Sequence, residues 1–447
     1  MSIHALVTIL MLINYRYNRR MKKSEKFIYL DQAATSWPKP EVVGHAMLEA
    51  VNVAGSPSRS AHTGARAADR LLSSARKTVA QFLRVSNPSN LVFVPSATFG
   101  LNMVIRGRYP FYSEWKEGKG RFIFHSSTEH NAVTRTLWDC VLSTSAGKEE
   151  IDQLWVQLQE MATDHEGRIR LDLLERRLKS GTYSAIVCQH GSNVSGVFQP
   201  IKELASLCRK YEVDLIVDGS QTAGHIPINL DEYGGLCAWI CSGHKGLLGP
   251  AGSGLAYLAE DFYPLPLVTG GTGSGEARIN YRPADYKHAD NHYSPPEKPH
   301  DYEAGTPPLP AIAGLAAGIE HLSENFDEDY QHTQQLTEYM LSELQKIEGV
   351  KILGLTSSTD SKSLRERLPL ASLVIEGKNS DEVTFLLDSQ YSIATRAGLH
   401  CAPYAHGYFR EPYENYELGA LRFSWNASNT FEELGIALDA LKAVISR

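Results

Sequence analysis

The sequence predicts an α/β protein in which a mainly parallel sheet is covered by helices and followed by a smaller α+β domain. Between residues 90 and 245, short β-branched runs each end in a cluster of small polar residues, and amphipathic stretches separate them. Beyond residue 310 the pattern changes to long amphipathic helices with a few short strands. The chain has 447 residues, 43% of them hydrophobic and 21% charged, which suffices for two buried cores and excludes a disordered chain.

Charge and cysteine content narrow the classes of partner and compartment. Lys and Arg number 44 and Asp and Glu number 51, so the formal net charge is −7 and no basic footprint for nucleic acid is present. The negative net charge favours a small, neutral or cationic substrate. The cysteines form no C-x-x-C pair and show no zinc-ligand spacing, which predicts free thiols in a reducing cytoplasm and no metal site. They are Cys140, Cys188, Cys208, Cys237, Cys241 and Cys401.

Residues 1–25 are predicted to be an extension that precedes the fold. The apolar run over residues 3–13 is shorter than the ~20 residues that a membrane-spanning helix needs, so no span is expected. Its positive charges follow the run, whereas a secretory signal carries them before it. Met21 is an alternative start of the chain, and weak attachment to a membrane surface is the alternative role of the segment.

The large domain is predicted over residues 45–310, after an N-terminal segment, residues 26–44, that is expected to join the smaller domain. Its predicted strands are 91–94, 121–124, 185–188, 215–217 and 238–241. Because ligands in open α/β sheets bind at the carboxyl ends of the strands, the polar clusters that follow these strands predict a single site. Residues 276–300 are rich in proline and are predicted to lie in a long irregular loop.

Residues 311–447 are predicted to form the smaller domain. The pattern indicates helices over 311–322 and 331–347, strands over 350–353 and 371–375, a helix from Ser380 and a strand around Phe423. Thr430 and Glu433 form a capping-box signature, which predicts the start of the last helix.

Lys245 and Asp218 carry the first chemical signal. Lys245 lies in a glycine-rich turn directly after an apolar strand, where burial would lower its pKa and make the amine a Schiff-base nucleophile. Asp218 ends the preceding strand and could place a carboxylate under the ring nitrogen of a pyridoxal phosphate. Taken alone, the lysine could be an ordinary loop residue and the aspartate a helix N-cap.

Further polar residues at strand ends fit the same site. Thr98 lies at a strand-to-helix turn, where free N–H groups and a hydroxyl suit a phosphate, although a plain N-cap would look the same. His130 could stack on an aromatic cofactor or be a structural histidine. Asn193 and Gln221 could donate hydrogen bonds to a phenolate oxygen, with polar turn residues as the alternative.

From residue 29 to the last helix, the chain resembles the cysteine desulfurase family, which belongs to the class V aminotransferase-like, fold-type I pyridoxal phosphate enzymes. The motifs that carry the resemblance occur in the family's order. They are PSRSAH at 57–62, TEH at 128–130, SNVSG at 192–196, DGSQ at 218–221, SGHK at 242–245, YEAGT at 302–306, RAGLHC at 396–401, and Arg422. The resemblance implies a homodimer, each chain having a large αβα domain and a small C-terminal α+β domain.

The resemblance also implies a role for each matching residue. The cofactor, pyridoxal 5'-phosphate, would be held by Thr98, His130, Asn193, Asp218, Gln221, Ser242, His244 and Lys245, with Thr306 reaching over from the second subunit. Among these, Lys245 would bind the cofactor covalently and transfer protons, and His130 would stack on its ring. The substrate would be held by His62, Asn193, Arg396 and Arg422.

Cys401 distinguishes the activities that this fold supports. By the resemblance, its thiolate takes the sulfur of L-cysteine, which leaves L-alanine and a persulfide that a sulfur-acceptor protein could receive. The glycine and proline around Cys401 indicate an exposed loop rather than a buried, inert thiol, and Arg396 and His400 lie beside it in sequence. Arg422 would clamp the substrate carboxylate, with a surface ion pair as its alternative role.

Two alternative functions stay open at this point. The first is another use of the same cofactor, as a selenocysteine lyase, an epimerase or a transaminase. The second is a non-catalytic scaffold for a sulfur-trafficking partner, because residues 96–98 read Ser-Ala-Thr where many relatives have Gly-Thr-Thr.

Overall fold

The computed structural model describes eight stretches of the chain, which build two hydrophobic cores. The described residues are 27–57, 62–109, 122–144, 157–181, 183–270, 296–356, 360–410 and 419–446. The predicted N-terminal extension, residues 58–61 of the PSRSAH motif and the proline-rich residues 276–295 lie outside them. No helix within these stretches is long and apolar enough to cross a bilayer.

A seven-stranded sheet forms the centre of the larger core. Its strands are β2 (Leu91–Val94), β3 (Phe122–His125), β4 (Gln157–Glu160), β5 (Tyr183–Gln189), β6 (Asp214–Asp218), β7 (Ala238–Ser242) and β8 (Gly254–Leu258). They lie in the spatial order β2-β8-β7-β6-β5-β3-β4. Only β8 runs opposite to the others, pairing antiparallel with β2 and with β7. The α/β class and the five predicted strands are confirmed, whereas β4 and β8 were not predicted.

The central strands are buried on both faces, as parallel strands covered by helices must be. In β6, Leu215 and Val217 belong to one hydrophobic cluster and Ile216, between them, belongs to another. Successive side chains of a strand point to opposite faces, so each cluster marks one side of the sheet. The continuous apolar run of β6 is therefore explained by the burial of both its faces, one in each cluster.

Helices cover both faces of this sheet. They are α1 (Glu41–Val53), α2 (Thr63–Leu83), α3 (Ala97–Arg108), α4 (Asn131–Thr144), α5 (Leu171–Leu178), α6 (Ile201–Tyr211) and α7 (Leu309–Glu324). α3 and α4 contribute to the cluster that contains Ile216, and α2, α5, α6 and α7 contribute to the other. α7 also packs against α1 and α2. It therefore lies with the large sheet, although the sequence pattern assigned residues 311–322 to the smaller domain.

The second core is built on the C-terminal part of the chain. Its strands are β9 (Val350–Ile352), β10 (Leu370–Ile375) and β12 (Leu421–Ser424), which form an antiparallel sheet, and β11 (Ile393–Ala394). Its helices are α8 (Phe326–Leu344), α9 (Ser361–Arg365), α10 (Ser380–Tyr391), α11 (Pro403–Arg410) and α12 (Phe431–Ile445). β1 (Ile28–Tyr29) pairs in parallel with β11, and Ile28 is buried in this core. The predicted capping box of Thr430 and Glu433 is confirmed at the start of α12.

An ion pair covers the outer side of β2, which is an edge strand. Both terminal nitrogens of the Arg76 guanidinium donate to the carboxylate of Glu303, at 2.8 and 2.7 Å. The same arginine donates to the carbonyl of Leu91, and the N–H of Phe93 donates to Glu303 at 2.7 Å. The pair thus satisfies backbone groups that an edge strand leaves open, and it ties the segment that carries Thr306 to the sheet.

Removing one partner of this pair is expected to destabilise the protein strongly. Glu303→Ala would leave the buried guanidinium of Arg76 without its carboxylate, at a cost of about 3–5 kcal/mol in the free energy of unfolding. The matched control is Asp439→Ala, which removes the exposed pair with Lys442 at 3.5 Å and should cost less than about 1 kcal/mol. Urea denaturation followed by circular dichroism measures both, and equal losses in the two variants would contradict the expectation.

Candidate active site

A cavity lies at the carboxyl edge of the seven-stranded sheet, where the polar clusters that follow the strands meet. Seven of the residues singled out from the sequence line it: Thr98, His130, Asn193, Asp218, Gln221, Ser242 and Lys245. They come from the ends of five strands that run in the same direction. The single site expected from the strand-end clusters is therefore present as a cavity.

Lys245 supplies the cavity with an amine that could form a Schiff base. Burial lowers its pKa to about 8, and the nearby carboxylate of Asp218 offsets only part of that effect. Within the part of the chain that the structure describes, the Lys245 amine makes no hydrogen bond. The turn that carries it packs backbone against backbone, because a Cβ at Gly246 would lie 2.3 Å from the carbonyl oxygen of Ala223. The backbone of Lys245 is thus fixed, whereas its side-chain amine is left without a hydrogen bond among the described residues.

His130 and Asp218 line the cavity as a neutral ring and a carboxylate. The Nδ1 atom of His130 accepts a hydrogen bond from the N–H of Ala132 at 3.0 Å, and burial lowers the pKa of the ring. One carboxylate oxygen of Asp218 accepts from the N–H of Ser220 at 2.9 Å. These local contacts orient both side chains, and the one to His130 uses only Nδ1 of its ring.

Two amide side chains connect the cavity to distant parts of the chain. Asn193 donates from Nδ2 to the carbonyl of His400 at 2.7 Å, while its Oδ1 is buried and has no hydrogen-bond partner among the described residues. Gln221 donates from Nε2 to the carbonyl of Ala33 at 3.1 Å. A buried carbonyl oxygen without a donor indicates that Asn193 awaits a ligand or a water molecule.

Arg422 is a buried cation beside the cavity rather than a surface ion pair. Its side chain is 2% exposed and it pairs with Asp31 at 3.1 Å. It also donates to the carbonyl of Asn193 at 3.2 Å, and its Nε has no partner in the described part of the chain. Burial lowers the pKa of Arg422, although Asp31 opposes the shift. The free Nε leaves one edge of the guanidinium available to an anion.

Cys401 lies on a short turn that is attached to the cavity wall. His400 and Cys401 both have left-handed backbone conformations, with φ of 50° and 57°. The N–H of Asn131 donates to the carbonyl of Cys401 at 2.7 Å, which ties the turn to the residue after His130. The thiol is exposed, and a guanidinium nitrogen of Arg396 lies 3.6 Å from Sγ. The exposed sulfur therefore faces a fixed cation.

Six residues proposed from the sequence do not line the cavity: Arg396, Arg422 and Cys401, whose positions beside it are given above, and three others. His62 is exposed and caps α2, accepting from the N–H of Ala65 at 3.2 Å. The ring of His244 lies 3.2 Å from the hydroxyl of Thr35, and burial lowers its pKa to about 4. Thr306 is exposed, close in sequence to Glu303. Their roles toward cofactor or substrate stay predictions.

Glu129 and Asp31 were missed by the sequence reasoning. Glu129 is fully buried, it accepts from the hydroxyl of Ser126 and from the N–H of Gln189, and burial raises its pKa to about 8. A glutamate in a polar turn resembles a solvent-exposed residue, and only its position between Thr128 and His130 indicated that it could be buried. Asp31 carried no local signal, because its partner Arg422 lies 391 residues away.

The family follows from comparison with known proteins. A family model described as Aminotransferase class-V matches residues 28–436. The chain belongs to the class V aminotransferase family. A probable cysteine desulfurase of Chlamydia trachomatis is 28% identical over 426 residues, covering 95% of this chain and 96% of that protein. A probable cysteine desulfurase of Synechocystis is also 28% identical, covering 94% of this chain and 91% of that one.

Solved structures agree with this class V assignment. The apo structure of a cysteine desulfurase from Thermococcus onnurineus has a TM-score of 0.78 at 26% identity, covering 94% of this chain and 95% of that one. The cysteine desulfurase CsdA from Escherichia coli has a TM-score of 0.75 at 22% identity over 94% and 95% of the two chains, a likeness of fold. The expected fold-type I architecture is confirmed.

The residues present fit pyridoxal phosphate, the cofactor that the class V family generally uses. Lys245 offers an amine without a hydrogen bond, and Asp218 offers a buried carboxylate for a protonated ring nitrogen. Asn193 offers an unused acceptor oxygen, while one hydrogen of its Nδ2 already binds the carbonyl of His400 and the other is left to donate. Thr98 lies in the first turn of α3, whose N-terminus favours a phosphate.

Cys401 is expected to react with iodoacetamide much faster than the other five cysteines. It is the exposed one, whereas burial raises the pKa of the others, to about 11 for Cys140 and about 12 for Cys237. The same is true of Cys188, Cys208 and Cys241. Peptide mass spectrometry of briefly treated native protein measures the labelling, with urea-unfolded protein as the control in which all six react. Labelling of Cys237 at the rate of Cys401 would contradict the expectation.

Proposed function

We propose that this protein is a pyridoxal phosphate-dependent cysteine desulfurase, a sulfurtransferase that converts L-cysteine to L-alanine and holds the sulfur as a persulfide on Cys401. One observation carries the proposal: an exposed thiol is held beside a cavity that contains a free lysine amine and a buried aspartate. The relatives named as cysteine desulfurases span nearly the whole chain and support the same activity.

The cavity residues would hold the cofactor in the roles expected from the resemblance. Lys245 would bind it covalently, Asp218 would pair with the ring nitrogen, and His130 would stack on the ring. Asn193 and Gln221 would donate to the ring oxygen, and Thr98, Ser242, His244 and the partner subunit's Thr306 would hold the phosphate. When bound, pyridoxal phosphate supplies an electron sink that weakens bonds at the α and β carbons of an amino acid.

Lys245 would move the protons of the reaction. An amine with a pKa of about 8 is close enough to neutrality to accept a proton from carbon and to return it. Asp218, within electrostatic range, would keep the negative charge that the ring nitrogen requires. The same lysine would therefore serve as cofactor anchor, base and acid.

Cys401 would take the sulfur. Its thiolate would attack the sulfur of the bound cysteine, so that an S–S bond forms as the C–S bond breaks. The electron pair released to the β carbon takes up a proton, which gives L-alanine and leaves the persulfide on the enzyme. A guanidinium nitrogen of Arg396 lies 3.6 Å from the sulfur that would attack.

The two arginines would hold the substrate carboxylate. The Nε of Arg422 is unused, while its terminal nitrogens already bind Asp31 and the carbonyl of Asn193. Arg396 is bonded through its backbone to Arg422, at 2.7 and 3.2 Å, so the two cations are held together. His62 and Asn193 would complete the substrate contacts.

We also propose that the protein acts as a homodimer in the cytoplasm and passes its sulfur to an acceptor protein. Thr306 is exposed on a segment that the Arg76–Glu303 pair ties to an edge strand, which would present it to a second chain. All six cysteines are free, as expected of a reducing compartment.

Replacing Cys401 is expected to separate this function from its alternatives. Cys401→Ala should lower the rate of alanine and sulfide formation from L-cysteine on the order of 100-fold or more, while the bound cofactor keeps its visible colour. The assay uses purified holoenzyme with a thiol reductant, and Cys237→Ala is the matched control that should keep activity.

Other results would favour other functions. A coloured wild-type protein that forms no alanine, or an equally active Cys401→Ala variant, would indicate selenocysteine, racemisation or amino-group transfer as the reaction to test. A colourless protein that cannot be loaded with the cofactor would indicate the non-catalytic scaffold.

The uptake of pyridoxal phosphate is expected to accelerate as the pH rises through about 8. The amine must be neutral to attack the aldehyde, and burial lowers the pKa of Lys245 from 10.5 to about 8, so the protonated form dominates below that pH. Stopped-flow absorbance of the cofactor-free protein between pH 6 and about 11 measures the rate. Lys245→Ala should show no covalent uptake, and a midpoint at the ordinary value of 10.5 would contradict the expectation.

A further inference from the structure

Two buried histidine rings lie behind Cys401, and none of the proposed reaction steps uses them. His400 is 3% exposed and His406 is fully buried, at 0%. The Nδ1 of His400 and the Nε2 of His406 lie 3.1 Å apart, which is hydrogen-bond distance. His406 follows Cys401 in the second turn of α11, so the pair joins the helix to the turn that presents the thiol.

The hydrogen bonds assign a proton to each ring. The Nε2 of His400 lies 3.5 Å from the carbonyl oxygen of Arg396, which can only accept, so Nε2 carries the proton. The Nδ1 of His400 is then an acceptor, and His406 donates to it from Nε2. Burial and the nearby Arg422 lower the pKa of His400, so the ring is neutral at pH 7. His406 thereby supplies a donor that a hydrophobic side chain could not.

The turn that these rings support is held in a backbone conformation that non-glycine residues rarely adopt. His400 and Cys401 both have positive φ values, of 50° and 57°, one after the other. The carbonyls of both residues are occupied, one by Asn193 and the other by the N–H of Asn131, each at 2.7 Å. The ring of His400 is a further anchor of the turn, beside the bond from the N–H of Ala402 to the carbonyl of Leu399 at 2.8 Å, and the shorter of its own two contacts is to His406.

We propose that His406 is a positioning residue for Cys401: it fixes the ring of His400, and that ring holds the left-handed turn that keeps the thiol beside the Arg396 guanidinium. The inference deepens the proposed function, and it rests on that function for the reaction that the thiol carries out. The geometric part stands on the contacts of His400, namely the ring of His406, the carbonyl of Arg396 and the amide of Asn193.

Three substitutions of His406 test the proposal. His406→Gln keeps an N–H at the reach of Nε2, His406→Asn places its amide too close to the backbone to reach His400, and His406→Leu fills the space without a donor. The matched control is His332→Leu, which removes a ring contact of 3.1 Å to the carbonyl of Asn429, and neither of these two residues lines the cavity.

The measurement is the iodoacetamide rate of Cys401 at pH 7 on the full-length protein, read by peptide mass spectrometry. His406→Leu and His406→Asn should react about fivefold more slowly, the fold-change expected for the loss of one hydrogen bond, because the thiol is no longer held in its place beside the Arg396 guanidinium. His406→Gln and the His332→Leu control should stay within about twofold of the wild type.

An unchanged or faster rate in the leucine and asparagine variants would overturn the proposal, and so would an equal loss in His406→Gln. If His406→Leu does not fold, the comparison of the glutamine and asparagine variants decides. Alkylation of Cys401 requires neither the substrate L-cysteine nor the cofactor. A wild-type protein that is inactive on L-cysteine would therefore refute the proposed function without affecting the alkylation result. In an active enzyme, the same variants should lose kcat with little change in KM.

Discussion

Six of the seven strands of the large sheet run in the same direction, and the site exists because five of them deliver their polar ends to the same edge. In a parallel sheet the strand interiors must be apolar on both faces, so polar residues can be placed only where a strand stops. Asp218 and Ser242 are the last residues of β6 and β7 and show this most directly. The same constraint buries Lys245 one turn later, and burial is what lowers the pKa of its amine.

The site is completed by segments that are far apart in the chain. Arg422 comes from the last strand of the C-terminal sheet, its partner Asp31 comes from the N-terminal segment, and Asn193 comes from the large sheet. A buried guanidinium is stable only if its donors are used, so these three residues hold the two cores together at the cavity. The Nε of Arg422 has no hydrogen-bond partner among the described residues.

The environments of the thiols divide one exposed cysteine from five that are buried or half-buried. Cys188 and Cys208 lie within the core of the large sheet, where burial disfavours the thiolate and raises the pKa. Cys401 is exposed, and its turn is attached to the cavity through Asn131 and Asn193. The exposed thiol thus lies on a turn in which two successive non-glycine residues have left-handed backbone conformations.

The sequence by itself determined the local elements and the types of chemistry. The β-branched run of β6, the capping box of Thr430 and the glycine-rich turn around Lys245 depend on neighbours a few residues away, so their patterns could be read directly. Only the tertiary structure decided that α7 packs on the large sheet, that Glu129 is buried, and that the rings of His400 and His406 meet. Each of these depends on packing in three dimensions, which local periodicity does not record.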